Sequence, residues 1–357
     1  MLGDLSPMDE LQVLTRAPHA PLAAVPAVGE RPGDTTKTTT RLGVVLVALL
    51  ALALTLVGVK TGLTVQDEDE AVYVNTLRSM RSGEGYYPAI RDALVEKEGV
   101  APSSVRAVRP PTMFLFLRWI PEQGWRWAAG GVYLATLLLV WTLARREGRW
   151  AGIAAVTVAF VWLAPASPYL FLHAELWGLP FFLAGLLNLR RGRDGWAAFF
   201  LTVATLTREL FGVSILLALI VRKRREWWYA LSAAVAGGFI HALVAGQILS
   251  PIGRDAPLHN VGIDASLVFQ VLGPGTTAFS VVVGLGVLAL AMPGLIRHAR
   301  EGDPAAAVLL PFTFVLAAAG IVATRLYWSL TWGPAIAAFV PAGVAVLLAR
   351  PPAQARR

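Results

Sequence analysis

The sequence predicts an all-α, polytopic membrane protein, and three observations carry that prediction. Hydrophobic residues make up 56% of the 357 positions and charged residues 15%, with a mean hydropathy of +0.59. A soluble globular protein is nearer 45–50% apolar and about 25% charged. Apolar stretches recur along most of the chain, and about ten spans of about 20 residues each account for them. The Arg and Lys clusters between these stretches can all be placed on one side of a bilayer, as cytoplasmic loops require. Cysteine is absent, which excludes disulfides, thiolate zinc sites and cysteine nucleophiles. The net charge of +8 belongs to the inner loops and to no soluble basic domain, so nucleic acid is not an expected partner.

Residues 1–41 are rich in Pro, Thr and Gly, carry mixed charge and lack an apolar period, and they read as a disordered cytoplasmic tail. The transmembrane domain covers 42–350. Its first span is Leu42 to Val59; the segment ahead is too long for a signal peptide, and no small-residue cleavage site follows. Residues 60–111 form a polar, helical first outer loop, in which Tyr73, Leu77 and Met80 recur at helical spacing after the acidic run. Thr112–Ile120 is apolar but too short to cross and is broken by Pro121, so it is re-entrant or interfacial. Spans follow at Trp125–Leu143, Ala151–Ala164 (extended by Tyr169–Leu172) and Leu176–Leu189.

The stretch from Gly195 to Val221 has Arg190, Arg191 and Arg193 before it and Arg222, Lys223, Arg224 and Arg225 after it. Both ends belong inside, so the stretch has to turn back on itself. The expectation is a hairpin of two short helices, each about 20 Å long, with Arg208-Glu209 at the tip. Trp227–Leu249 then runs outward to a second outer loop, 250–274. Thr276–Ile296, Pro304–Ala323 and Trp328–Leu348 complete the bundle, and 351–357 is a second cytoplasmic tail. Both termini lie in the cytoplasm of a multi-pass plasma-membrane protein. No internal repeat is visible, which counts against repeat-built transporters, and no Walker loop is present for ATP-driven transport.

This layout collects acids and arginines on the outer face, where they suit a phosphate-bearing lipid and a general base. Asp67-Glu68-Asp69-Glu70 directly follows the first span. One of these carboxylates can take a proton from an attacking hydroxyl, and two or more can hold a divalent cation. The same run also reads as a capping box, Asp67 as N-cap and Glu70 three residues into the helix. Nothing in the residues chooses between Asp67 and Asp69 as the base. Arg208-Glu209 is a charged pair inside an apolar stretch, a placement that marks function by default. Arg208 either engages two phosphate oxygens or is neutralised by its neighbour. Arg109-Pro110-Pro111 is a rigid, extended segment that is either a hinge or a device for aiming Arg109 at phosphate. Arg325, beside Tyr327 and Trp328, is an interfacial anchor or a further phosphate ligand. Glu70, Tyr73, Glu209 and His259 are candidate substrate contacts, and His241, within a span, reads as a hydrogen-bonded packing residue.

The run Asp69-Glu70-Ala71-Val72-Tyr73, then Leu77 to Gly83, then Arg109-Pro110-Pro111 before an apolar helix, resembles the GT-C superfamily of membrane glycosyltransferases. The similarity is to the branch containing protein O-mannosyltransferases and lipid A aminoarabinose transferases. Thr207-Arg208-Glu209 is similar to that branch's arginine-bearing turn, and Arg109 stands where it usually has lysine. The resemblance implies an inverting enzyme that moves a sugar from a polyprenyl-phosphate lipid to a hydroxyl acceptor on the outer face. It maps Asp69 onto the acidic position, with Asp67 as rival, and needs no cofactor; a divalent cation is compatible with it. The Ala-, Arg-, Gly- and Pro-heavy usage resembles high-GC, actinobacterial chains and favours decaprenyl-phosphate mannose or arabinose as donor. The alternative is a lipid-linked sugar flippase or other secondary transporter.

Overall fold

The computed structural model describes residues 35–60, 68–98, 108–148, 150–164, 171–249, 278–323 and 329–349, and among these no strand occurs. The helices are α1 (Thr35–Lys60), α2 (Glu68–Arg81), α3 (Tyr86–Glu98), α4 (Thr112–Leu117), α5 (Trp125–Ala144), α6 (Ala151–Leu163) and α7 (Ala174–Arg190). They continue as α8 (Asp194–Thr207), α9 (Gly212–Arg222), α10 (Arg225–Leu249), α11 (Ala278–Arg300), α12 (Pro304–Ala323), α13 (Ser329–Ala337) and α14 (Val340–Leu348). Three segments are long and apolar enough to cross a membrane: Glu122–Glu147, Arg225–Gln247 and Val282–Arg300. The pair α13 and α14, bent by 50°, is a broken span or a re-entrant loop, and counts as a fourth only in the first case. Arg41–Val57, Ala151–Leu163 and Pro304–Ala318 are apolar but shorter, so the described residues hold three or four such spans where hydropathy alone predicts about ten.

Several boundaries differ from those read in the sequence. α1 begins at Thr35, ahead of the apolar run, because nothing in Thr35–Arg41 breaks a helix. The segment 60–111 agrees with its helical reading in the described part, where α2 and α3 cover Glu68–Arg81 and Tyr86–Glu98. Trp328–Leu348 is two helices, since Pro341 sits in the first turn of α14 and cannot continue the ladder of α13. The tails at 1–34 and 351–357 and the loop at 250–274 lie outside the described residues.

Two turns share one construction. α7 passes to α8 through Gly192 at φ +70°, with Arg193 N–H donating to Asn188 O at 2.9 Å and Gly192 N–H to Leu189 O at 3.0 Å. α11 passes to α12 through Gly302 at φ +85°, with the same two bonds, Asp303 to His298 and Gly302 to Ala299. These bonds satisfy the last carbonyls of the preceding helix, and glycine takes the left-handed position without steric cost.

Antiparallel helices joined in this way give the bundle two ends. One holds the basic clusters: Arg190 pairs with Asp303 at 2.5 Å and donates to Leu143 O at 2.8 Å, and Arg222 pairs with Asp194 at 2.9 Å. The latter contact brings the start of α8 to the end of α9, so α8 and α9 form a hairpin. The opposite end holds the α8–α9 turn, the start of α7 and the segment 108–112. Between them the packing is aromatic: Phe182 on α7, Phe211 and Phe312 on α12 lie 4.7–6.3 Å apart, ring to ring. Between apolar helices in lipid, such van der Waals fit does the work that water exclusion does in a soluble core.

Candidate functional site

The α8–α9 turn is held from below. Phe211 is fully buried, and Gly178 on α7 leaves the room its ring occupies. Arg208 N–H completes α8 by donating to Ala204 O at 2.8 Å. Arg208 itself leaves the helix in an extended conformation, φ −149° and ψ 115°. A 3₁₀ turn, Glu209–Phe211, then leads into α9.

That geometry turns the Arg208 side chain onto two carboxylates. Its Nε lies 2.7 Å from Glu175 Oε1, and its Nη1 donates to Glu209 Oε1. Burial separates the two partners sharply: the side chains of Arg208 and Glu175 are 2% and 4% exposed, whereas that of Glu209 is 57% exposed. Glu175 stands in the first turn of α7, where the helix dipole favours a negative charge.

The segment before α4 brings the second arginine. Arg109 Nε donates to Tyr73 Oη of α2 at 3.3 Å, and Tyr86 O–H of α3 donates to the Arg109 carbonyl. Burial pushes the Tyr86 phenol well above its ordinary range, so it remains a donor. Burial by itself would lower the Arg109 pKa; Tyr73, Glu175 and Glu209 outweigh that and raise it. Tyr73 also meets Phe114 and His173 edge-on, at 5.5 and 5.9 Å. Thr112 Oγ1 donates to Leu206 O at 2.6 Å and ties this segment to the end of α8.

His241 of α10 closes the third side. Its Nε2–H donates to Val108 O at 3.1 Å, and its Nδ1 accepts from Tyr87 O–H at 3.0 Å, as the neutral tautomer with the proton on Nε2 allows. A cavity of about 610 Å³ lies between these elements. Arg109, Arg208, Glu209 and His241 supply its polar wall, and residues such as Leu206 and Gly238 its apolar one. The volume is in the range of ligand-binding clefts. α10 also carries exposed apolar residues outside the cavity lining, Val235, Phe239 and Leu243.

The structure therefore brings together Arg109, Arg208, Glu209 and Tyr73 from the sequence-predicted set. Asp69 and Glu70 fall in the first turn of α2. Asp67, His259 and Arg325 lie outside the described residues. Among the described residues no group of three or more His, Asp or Glu side chains is arranged for a metal ion.

Tyr86, Tyr87 and Thr112 were not singled out from the sequence, and Glu175, although placed on the outer face, was not chosen as a site residue. Glu175 had a usable signal: it is the only carboxylate between Ala151 and Arg190. A lone acid in such surroundings needs a cation, and Arg208 is the only basic residue within the α8–α9 hairpin between Asp194 and Arg222. His241 behaves as the hydrogen-bonded packing residue expected of it, and it also lines the cavity. Comparison of the chain with protein-family models, curated proteins and solved structures finds no match.

Proposed function

We propose that the protein is an inverting glycosyltransferase of the plasma membrane that takes a polyprenyl-phosphate sugar as donor and a hydroxyl group as acceptor. One observation carries this reading. Arg109 and Arg208, far apart in sequence, line a single cavity whose other wall is apolar and borders a helix with an exposed apolar face. That combination suits an amphiphile with one phosphate and a hydrocarbon tail, arriving sideways from the bilayer.

In this reading Asp69 or Asp67 takes the proton of the acceptor hydroxyl. The acceptor oxygen attacks the anomeric carbon, the bond from that carbon to the phosphate oxygen breaks, and the electron pair leaves with the polyprenyl phosphate. Arg208, with Arg109 or Arg325, stabilises the charge growing on the departing phosphate. Tyr73 positions Arg109 through its hydroxyl, while Glu70 and His259 contact the sugar or the acceptor. The site faces the extracytoplasmic side, and the acceptor is a cell-envelope glycan, glycolipid or protein.

The test uses the full chain in nanodiscs with a panel of radiolabelled polyprenyl-phosphate sugars. Wild type is compared with Asp67→Asn and Asp69→Asn, each with and without chelator. Sugar transfer, or slow donor hydrolysis, that one variant abolishes supports the enzyme and identifies its base. Donor movement across proteoliposome membranes without turnover supports the flippase, and absence of donor binding removes both.

A further inference from the structure

Among the described residues, the two arginines of the proposed cavity already face two carboxylates: Glu209 in the lining, and Glu175 behind Arg208. Arg208 lies against both Glu175 and Glu209, and Arg109 is drawn to the same two carboxylates. An incoming phosphate would add uncompensated negative charge to a site partly shielded from water. Such charges are costly unless a like charge withdraws.

Only one of the two carboxylates is free to withdraw. Glu175 is 4% exposed and sits at a helix N-terminus that favours it. Glu209 is 57% exposed, lines the cavity and holds Arg208 from the next position in the chain. Releasing it needs rotation of one side chain and no movement of the turn, because Phe211 anchors the backbone two residues later.

We infer that Glu209 is a resident anion that keeps the phosphate's place on Arg208 and is displaced when a phosphate group binds. This inference rests on the phosphate-lipid reading of the cavity. Glu175 stays in place throughout and keeps the Arg208 guanidinium aimed. The exchange makes the site selective: a neutral lipid cannot compete with Glu209 for Arg208, whereas a phosphate can. It also lowers the affinity for phosphate product, since Glu209 competes to return.

The experiment measures binding to wild type, Glu209→Gln and Glu209→Ala, all as the full chain in nanodiscs of zwitterionic lipid. The probes are a polyprenyl monophosphate, the corresponding polyprenol and inorganic phosphate. Both variants should bind the polyprenyl monophosphate about tenfold more tightly than wild type, a modest share of the several kcal/mol that like-charge contacts can cost. Polyprenol affinity should not change. A matching gain for inorganic phosphate would show that the phosphate group suffices, and a gain confined to the lipid would make the tail part of the ligand; both support the exchange. Equal or weaker phosphate binding in both variants overturns it, as does an equal gain for polyprenol, which would mean that Glu209 merely blocks space. Tighter phosphate binding in a protein that never transfers sugar keeps the exchange and removes the glycosyltransferase. Sugar transfer with unchanged phosphate affinity does the reverse. No phosphate binding by any of the three proteins ends both.

Discussion

The two ends of the bundle are both built from arginine–carboxylate pairs, and they put them to different use. At the basic end the pairs join helices. Arg190 of α7 holds Asp303 before α12, Arg297 of α11 holds Glu147 after α5 at 3.2 Å, and His298 lies 3.0 Å from the same carboxylate. Asp194, with a side chain 2% exposed, receives both Arg222 and Arg224. At the cavity end, among the described residues, Arg208–Glu175 is the buried pair of that kind. The second pair, Arg208–Glu209, links adjacent residues, has an exposed carboxylate and borders a cavity. What separates a structural pair from an exchangeable one is therefore the exposure of the carboxylate and the distance along the chain that the pair closes.

The largest effect should come from breaking the buried Arg208–Glu175 pair at the cavity end. Glu175→Gln leaves the Arg208 guanidinium without its buried counter-charge, and such a loss typically costs about 3–5 kcal/mol. Thermal unfolding in detergent should register a large destabilisation, and phosphate-lipid binding should fall because Arg208 is no longer aimed. A variant as stable as wild type would contradict the structural role assigned to this pair. Arg190→Met makes the matching break at the basic end. It removes the pair with Asp303 and the bond to Leu143 O, and a loss of about 3 kcal/mol is expected. Here phosphate-lipid affinity should be unchanged. Glu175 and Arg190 stand at opposite ends of α7, so the double variant should be additive within about 0.5 kcal/mol. Strong coupling between the two would mean that the ends are not independent.

Much of the helical plan was legible because it depends on local patterns. Basic residues on both sides of 195–221 forced a hairpin, and the only charges inside it, Arg208 and Glu209, marked where it turns; the structure ends α8 at Thr207 and starts α9 at Gly212. Pro304–Ala323 was recovered with the same limits, since a proline start and the end of an apolar run bracket it. What could not be read was the pairing across the bundle. Arg208 meets Glu175 from another helix, and His241 meets Tyr87 and Val108 more than 130 positions away. No periodicity encodes such contacts. The break between α13 and α14 did have a local signal in Pro341, but the unbroken apolar composition around it outweighed that signal.

The tether on α10 gives the third effect. His241→Leu removes a hydrogen bond to Val108 O and one from Tyr87 O–H, in a part of the molecule that is only partly buried. Net hydrogen bonds are worth about 1 kcal/mol each, and partners that can reach water lose less. A stability loss of about 1 kcal/mol is expected, together with a several-fold change in phosphate-lipid affinity, because α10 forms one wall of the cavity. Loss of stability with unaltered affinity would show that the tether braces α10 without shaping the site.

The smallest effect sharpens the exposure rule from the other side. Arg78 of α2 donates to both oxygens of Glu122 in the turn before α5, at 2.6 and 3.1 Å, a geometry as good as any at the basic end. Its side chain is 54% exposed and that of Glu122 is 25% exposed. Solvent screening and the entropy of holding two long side chains reduce such a pair to about 0–1 kcal/mol. Arg78→Ala should therefore shift thermal unfolding only slightly, and added salt should erase the difference from wild type. If this exposed bidentate pair proved as costly to remove as Arg190, geometry and not burial would set the strength of the pairs. Glu209, exposed yet well placed on Arg208, would then be bound too firmly to give way to a phosphate.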